Sequence, residues 1–236
     1  MEKLQETADI RRRDIFETLW VAVALSFAGG FMDACGYLLR DEVFAFAQTG
    51  NMILMSIQLA RLDFVAAGYY VCSLTAFFLG IMTTELIKKY VFRFEKVRCE
   101  HFVLTVEMLL FVAIGFIPLT VPAVAVNLMV SFISAMQIDC FKRLEGMAYA
   151  STMCTGNFRS GTENLFLRLI YHDKAAGRRS ARYFLVIGGF CFGAVMGAVL
   201  CPLLAQRTVW VCAGVMGAVL CGILWTEKNA RLIDEG

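Results

Sequence analysis

The chain is 236 residues long, with a mean hydropathy of +0.66, 59% hydrophobic residues and only 18% charged residues. Soluble domains carry about half apolar and about a quarter charged residues, so a soluble domain is excluded. A net charge of +2 says little about partners; the expectation is one all-α integral membrane domain over residues 1–236, with the lipid bilayer as its partner and no nucleic acid.

Lys3 and Arg11-Arg12-Arg13 precede an apolar run from Leu19. The start resembles a secretory signal, but the run is too long and no small-residue cleavage site follows, so it reads as an uncleaved first helix. About 20 apolar residues cross the hydrocarbon core. Plain spans are predicted at 19–39, 64–87, 102–119, 123–141, 183–204 and 209–225. Two further apolar segments are interrupted. Segment 43–60 holds Gln48-Thr49-Gly50-Asn51, and segment 147–170 holds Thr155-Gly156-Asn157 with Arg159 and Glu163 beyond.

The interruptions expose a repeat. Asp33 and Asp139 lie 106 residues apart, as do Thr49 and Thr155, Gly50 and Gly156, and Asn51 and Asn157. Halves of about 15–120 and 121–226 thus share one plan: a span ending in Asp, a Thr-Gly-Asn segment, then two more spans. The positive-inside rule weighs two topologies. If the Thr-Gly-Asn segments dip in and return, there are six spans, and 19 of the 22 Lys and Arg residues share the N-terminal side, leaving Arg40, Arg61 and Arg207 opposite. Three-span halves then run in opposite senses, as inverted repeats with re-entrant segments. If both segments cross, eight spans and parallel repeats result, and nine basic residues face outward. Six spans with both termini cytoplasmic is the expectation, and eight is the alternative.

Inverted repeats with broken helices are a common transporter design. A break at Thr-Gly-Asn frees backbone groups that membrane depth tolerates only inside protein or along a wet cavity. Gly50 and Gly156 would supply positive φ, and Thr49, Asn51, Thr155 and Asn157 polar atoms or helix caps. Asp33 lies within its span, where a carboxylate is a functional-site hypothesis by default; it would bind a cation, relay a proton or brace the nearby break. Asp139 has Lys142 and Arg143 at i+3 and i+4, and Gln137 would share its polar site. Arg159 and Glu163 at i, i+4 form a gate pair or a plain helix pair. Glu107, early in its span, is expected to snorkel or pair. Gly189, Gly193 and Gly197 make a smooth stripe for helix packing. The nine cysteines show no Cys-x-x-Cys pair and read as small apolar packing residues. Two histidines near loops argue against a histidine metal site, and no cofactor is expected.

Gly30-Phe31-Met32-Asp33-Ala34, with Val43-Phe44 and Thr49-Gly50-Asn51, resembles the first half of the YoaK-like proteins, and Met136-Gln137 with Thr155-Gly156 resembles the second. These are small bacterial multi-pass membrane proteins defined by a domain of unknown function. The resemblance covers nearly the whole chain and implies the bacterial inner (cell) membrane. The family pattern has Asn after the second-half Gln, where this chain has Ile138-Asp139, which separates Asp139 from any family-wide role. The leading expectation is a transporter or channel for a small solute or ion, not an enzyme. A membrane scaffold or assembly factor is the alternative, and an intramembrane aspartyl enzyme using Asp33 and Asp139 comes third. A homo-oligomer is left open.

Overall fold

The computed structural model describes residues 15–90, 98–149 and 154–234, which are almost wholly helical. In order, the helices are α1 (Leu19–Leu39), α2 (Gln48–Ala60), α3 (Phe64–Tyr90), α4 (Cys99–Ile114), α5 (Ala123–Cys140), α6 (Cys154–Ile170), α7 (Lys174–Leu204) and α8 (Val209–Asp234). Between α5 and α6, β1 (Arg143–Leu144) pairs antiparallel with β2 (Met147–Ala148). Lys3, Arg11, Arg12, Arg13, Arg93 and Lys96, all counted on one side above, lie outside the described residues.

The surface and interior invert the soluble pattern. Phe78 and Leu79 on α3, and Phe192 and Val195 on α7, are half exposed or more. Asp33, Asn51, Glu107 and Gln137 are buried. In water such apolar faces drive association; in a bilayer they are simply the solvated side. Four described helical stretches are long and apolar enough to cross a membrane: α1, α3, α5 and the continuous Lys174–Asn229, which contains α7 and most of α8. Helix α4 has 16 residues and rises roughly 24 Å, short of that length.

Glycine brings α1 and α7 into backbone contact. A Cβ at Gly193 would collide with the Phe27 carbonyl, one at Gly30 with the Phe190 carbonyl, and one at Gly197 would stand 2.7 Å from the Phe31 oxygen. Ser26 Oγ adds a hydrogen bond to the Val186 carbonyl at 2.8 Å. Val23, Phe27 and Phe31 meet Gly189, Gly193 and Gly197 in turn, so the two helices run parallel. Helices α3 and α5 are parallel as well: Ser73 touches Ser131 (2.7 Å), Gly80 abuts Phe132, and Lys88 reaches Asp139 (2.6 Å). Helix α1 runs against α5. Its Arg40 end meets the start of α5, where Arg40 donates to the carbonyls of Ile117 (3.1 Å) and Val121 (3.3 Å) and Asn127 donates to the Arg40 carbonyl (2.9 Å). Near its other end, Phe16 packs on Phe141 at 6.2 Å between ring centroids. Helices α4 and α8 cover this assembly, His101 lying 3.2 Å from Glu227 and Trp210 donating to the Val112 carbonyl.

The predicted spans match α1, α3, α5 and the start of α8. Two boundaries move for local reasons. The 102–119 span becomes Cys99–Ile114, stopping where the Trp210 ring packs on Gly115 and Pro118 follows. The 183–204 span begins instead at Lys174, because Asp173 caps α7 by accepting from Ala175 N (2.8 Å) and Ala176 N (3.1 Å). Hydropathy sees only the lipid-facing part of such a helix.

Candidate functional site

Helix α1 ends at Arg40, and the chain turns back through Asp41 and Glu42, both at positive φ (58° and 56°). Residues 43–47 then descend beside α1 to Asp33, which lies seven residues, roughly 10 Å, below Arg40. There the buried Asp33 carboxylate accepts the Phe46 N–H (2.8 Å, Oδ1) and the Ala47 N–H (3.1 Å, Oδ2). Helix α2 starts at Gln48, immediately after these amides. Ala47 gives no side-chain cap, and Asp33 from the neighbouring helix fills that role at the positive end of the α2 dipole.

The sequence predicts a break at each Thr-Gly-Asn segment; in the structure each lies in the first turn of a helix instead. Neither Gly50 nor Gly156 has positive φ. Gly50 is small because the Phe44 ring covers it, and a Cβ there would stand 2.7 Å away. Asn51, fully buried, ties the returning segment to the bundle. It accepts from Phe44 N (2.9 Å), and its amide nitrogen faces the Phe44 carbonyl (2.5 Å), Gln48 Oε1 (2.9 Å) and Ser73 Oγ (3.1 Å). The polar chain continues from Ser73 to Ser131, and Ser134 donates to the carbonyls of Ala45 and Ser131, both at 2.8 Å. Gln48 donates to Ala45 (2.9 Å), while Thr49 is exposed. The serines of α3 and α5 carry no sequence motif; only the shared helix face links them.

In the second segment Asn157 is buried, and Thr155 and Gly156 are exposed. Cys154, at the start of α6, lies within electrostatic range of Asp33. Arg159 and Glu163 form a 2.8 Å pair on the exposed face of α6.

Asp139 is separate from this cluster. It meets Lys142 (2.5 Å), as the i+3 spacing predicts, and also Lys88 (2.6 Å) from the end of α3. Asp33 and Asp139 thus have different partners and share no hydrogen-bond donor among the described contacts. Gln137 is fully buried, but its amide makes no hydrogen bond to either group. Glu107, expected to snorkel or pair, is instead completely buried with both oxygens unpartnered, because its helix face packs inward against α8 rather than toward the interface.

Three of the cavities formed by the described residues surround the bundle. An apolar cleft of about 510 Å³ runs between α3, α4 and α5 past Val71, Leu79, Leu110 and Phe132. A slot of about 20 Å³ lies beside Arg40 and Asn127. A polar cavity of about 180 Å³ holds Lys88, Glu100, Asp139 and Lys142. None of the three is lined by Asp33 or by Thr49, Gly50 and Asn51.

No solved structure matches the chain. It is 25% identical over 199 residues to the UPF0700 transmembrane protein YoaK of Bacillus subtilis (strain 168), an alignment covering 79% of this chain and 85% of that protein. The family described as "Protein of unknown function (DUF1275)" matches residues 21–222, nearly all of the helical bundle. This chain is a membrane protein of the DUF1275, YoaK-like family.

Proposed function

We propose that the protein is a transporter or channel for a small solute or ion, working in the bacterial cell membrane with both termini cytoplasmic. Its six spans form two inverted repeats, and α2 and α6 re-enter from opposite faces. The observation that carries this reading is the N-terminus of the short helix α2, held on the buried Asp33 carboxylate through the Phe46 and Ala47 amides. Helix N-termini at membrane depth offer oriented positive dipoles to a polar or charged solute. The inverted arrangement draws support from the packing. A shift of 106 residues turns the α1–α7 contact into α5–α3, α2–α3 into α6–α7, and α4–α5 into α8–α1. The equivalent helices α1 and α5 run in opposite directions.

The second reading, a membrane scaffold or assembly factor, is favoured by the hydrogen bonding around Asn51, which engages both of its side-chain polar atoms within the protein. Cysteine accessibility separates the two. In a background free of the nine native cysteines, single cysteines at Gln48, Thr49 and Thr155 are treated with a charged, membrane-impermeant thiol reagent from each face. Labelling of the first two from the face that also labels residue 62, and of the third from the opposite face, is the transport result. Protection of all three in folded protein would leave the scaffold reading.

A further inference from the structure

Outside the Asp33–Asn51 network, Glu107 and Gln137 are fully buried polar side chains whose polar atoms have no hydrogen-bond partner among the described residues. Glu107 on α4 is 0% exposed and neither carboxylate oxygen meets a donor. Gln137 on α5 is also 0% exposed, with both amide atoms unpaired. Helices α4 and α5 pack together, and Cys99 at one end touches Cys140 at 2.7 Å between sulfurs. That contact sets their register. Counted along the axes from it, Gln137 lies about 4.5 Å inward and Glu107 about 12 Å inward.

The same end of the bundle carries the polar cavity of about 180 Å³, whose wall includes Glu100, Lys88, Asp139 and Cys140. Glu100 sits seven residues before Glu107, two turns down the same face of α4. By depth along the axes, Gln137 lies at a level between this mouth and Glu107. Beyond the mouth the surroundings turn apolar. Val103, Leu104 and Phe111 flank Glu107 on its own helix, all fully buried. From α8, the Cys212 thiol lies within electrostatic range of Glu107, and Glu227 sits with His101 toward the mouth. From α5, the titratable groups are Asp139 and Cys140, both at the mouth.

An ionised carboxylate without a donor is strongly disfavoured inside a membrane protein. A dehydrated divalent cation takes about six oxygen ligands, and Glu107 with Gln137 supplies three. A proton needs one. We propose that Glu107 is a proton-binding site, loaded from the Lys88/Asp139 mouth by way of Gln137. Hydronium at the mouth gives up a proton and becomes water, and the carboxylate becomes a neutral acid; no other bond changes. Gln137, at a depth between mouth and acid, carries an amide that both accepts and donates.

Infrared difference spectroscopy of the full chain in lipid nanodiscs, transferred from H2O to D2O, tests the site. A carboxylic-acid carbonyl band is expected that is missing in Glu107→Gln, a neutral variant of nearly equal size. The band should shift in D2O within minutes, and at least tenfold more slowly in Gln137→Leu. No band dependent on Glu107, or one still unshifted after hours, overturns the site. A wild-type exchange rate in Gln137→Leu overturns the route. Should Glu107→Gln fail to fold, wild-type protein is treated with a hydrophobic carbodiimide and digested. An adduct on the peptide containing Glu107 supports the site, and an unmodified Glu107 in folded protein refutes it.

Discussion

Replacing Asn51 with alanine removes the clamp that holds residues 43–47 against the bundle. The side chain accepts one hydrogen bond and, with two amide hydrogens, satisfies two of its three acceptors at a time. Three bonds are lost, each worth about 1 kcal/mol in water-soluble proteins and about 0.6 kcal/mol between membrane helices. The Phe44 N–H is left without its acceptor, which adds about 1 kcal/mol. The total is about 3–4 kcal/mol, or a fall in unfolding temperature of about 6–16 °C for a chain of this size. The nine cysteines are unpaired, and four of them are buried, so a thiol-reactive fluorophore reports unfolding of detergent-solubilised protein directly. Thr49→Ala, an exposed site two residues away, should change the midpoint by no more than a degree or two. An Asn51→Ala midpoint within that same margin, or a Thr49→Ala loss as large as that of Asn51→Ala, would refute the clamp.

Gly193→Ala should destabilise by about 1–3 kcal/mol, because its Cβ would enter the Phe27 carbonyl across a backbone contact. Gly188→Ala, with nothing within 4 Å, should gain about 0.5–1 kcal/mol of helix stability instead. The same thermal assay must rank the two in that order. Lys88→Met leaves Asp139 paired only with the more exposed Lys142, at a cost of about 1–2 kcal/mol. A double-mutant cycle with Asp139→Asn should show coupling of about 1 kcal/mol, and additive losses would contradict the pair. Asp33→Asn turns one accepting oxygen into a donor facing a backbone N–H, at Phe46 or Ala47. Hydrogen exchange should then rise at least tenfold at the start of α2 while staying at the wild-type level in α5; equal protection of α2 in both proteins would count against the cap.

Long apolar runs made the membrane helices legible, and α1 coincides with its predicted span because its apolar run stops at Arg40. The interface extensions were not legible. Lys174 to Arg182 is helical through the Asp173 cap, yet contributes too little hydropathy to stand out. The importance of the two Thr-Gly-Asn segments could be read from their equal spacing, but the work of each residue could not. Asn51 carries the contacts, Thr49 carries none to the interior, and Gly50 answers to the Phe44 ring rather than to a turn. Ser73, Ser131 and Ser134 belong to the polar chain only because α3 and α5 run side by side. Glu107 shows the limit of reading by position along a helix: depth was legible, but the direction of its face depends on where α8 packs.

The glycine-lined contact of α1 with α7 also governs the order of events during synthesis. Phe27 waits for Gly193, which follows it by 166 residues in the chain. At translation rates of about 5–20 residues per second, that interval is roughly 8–33 s. For that time Gly30, Ser26 and the groove around them face lipid or the insertion machinery. A nascent chain that stops before Lys174 has no means of covering that groove, and quality-control proteases would meet it as an unfinished membrane protein.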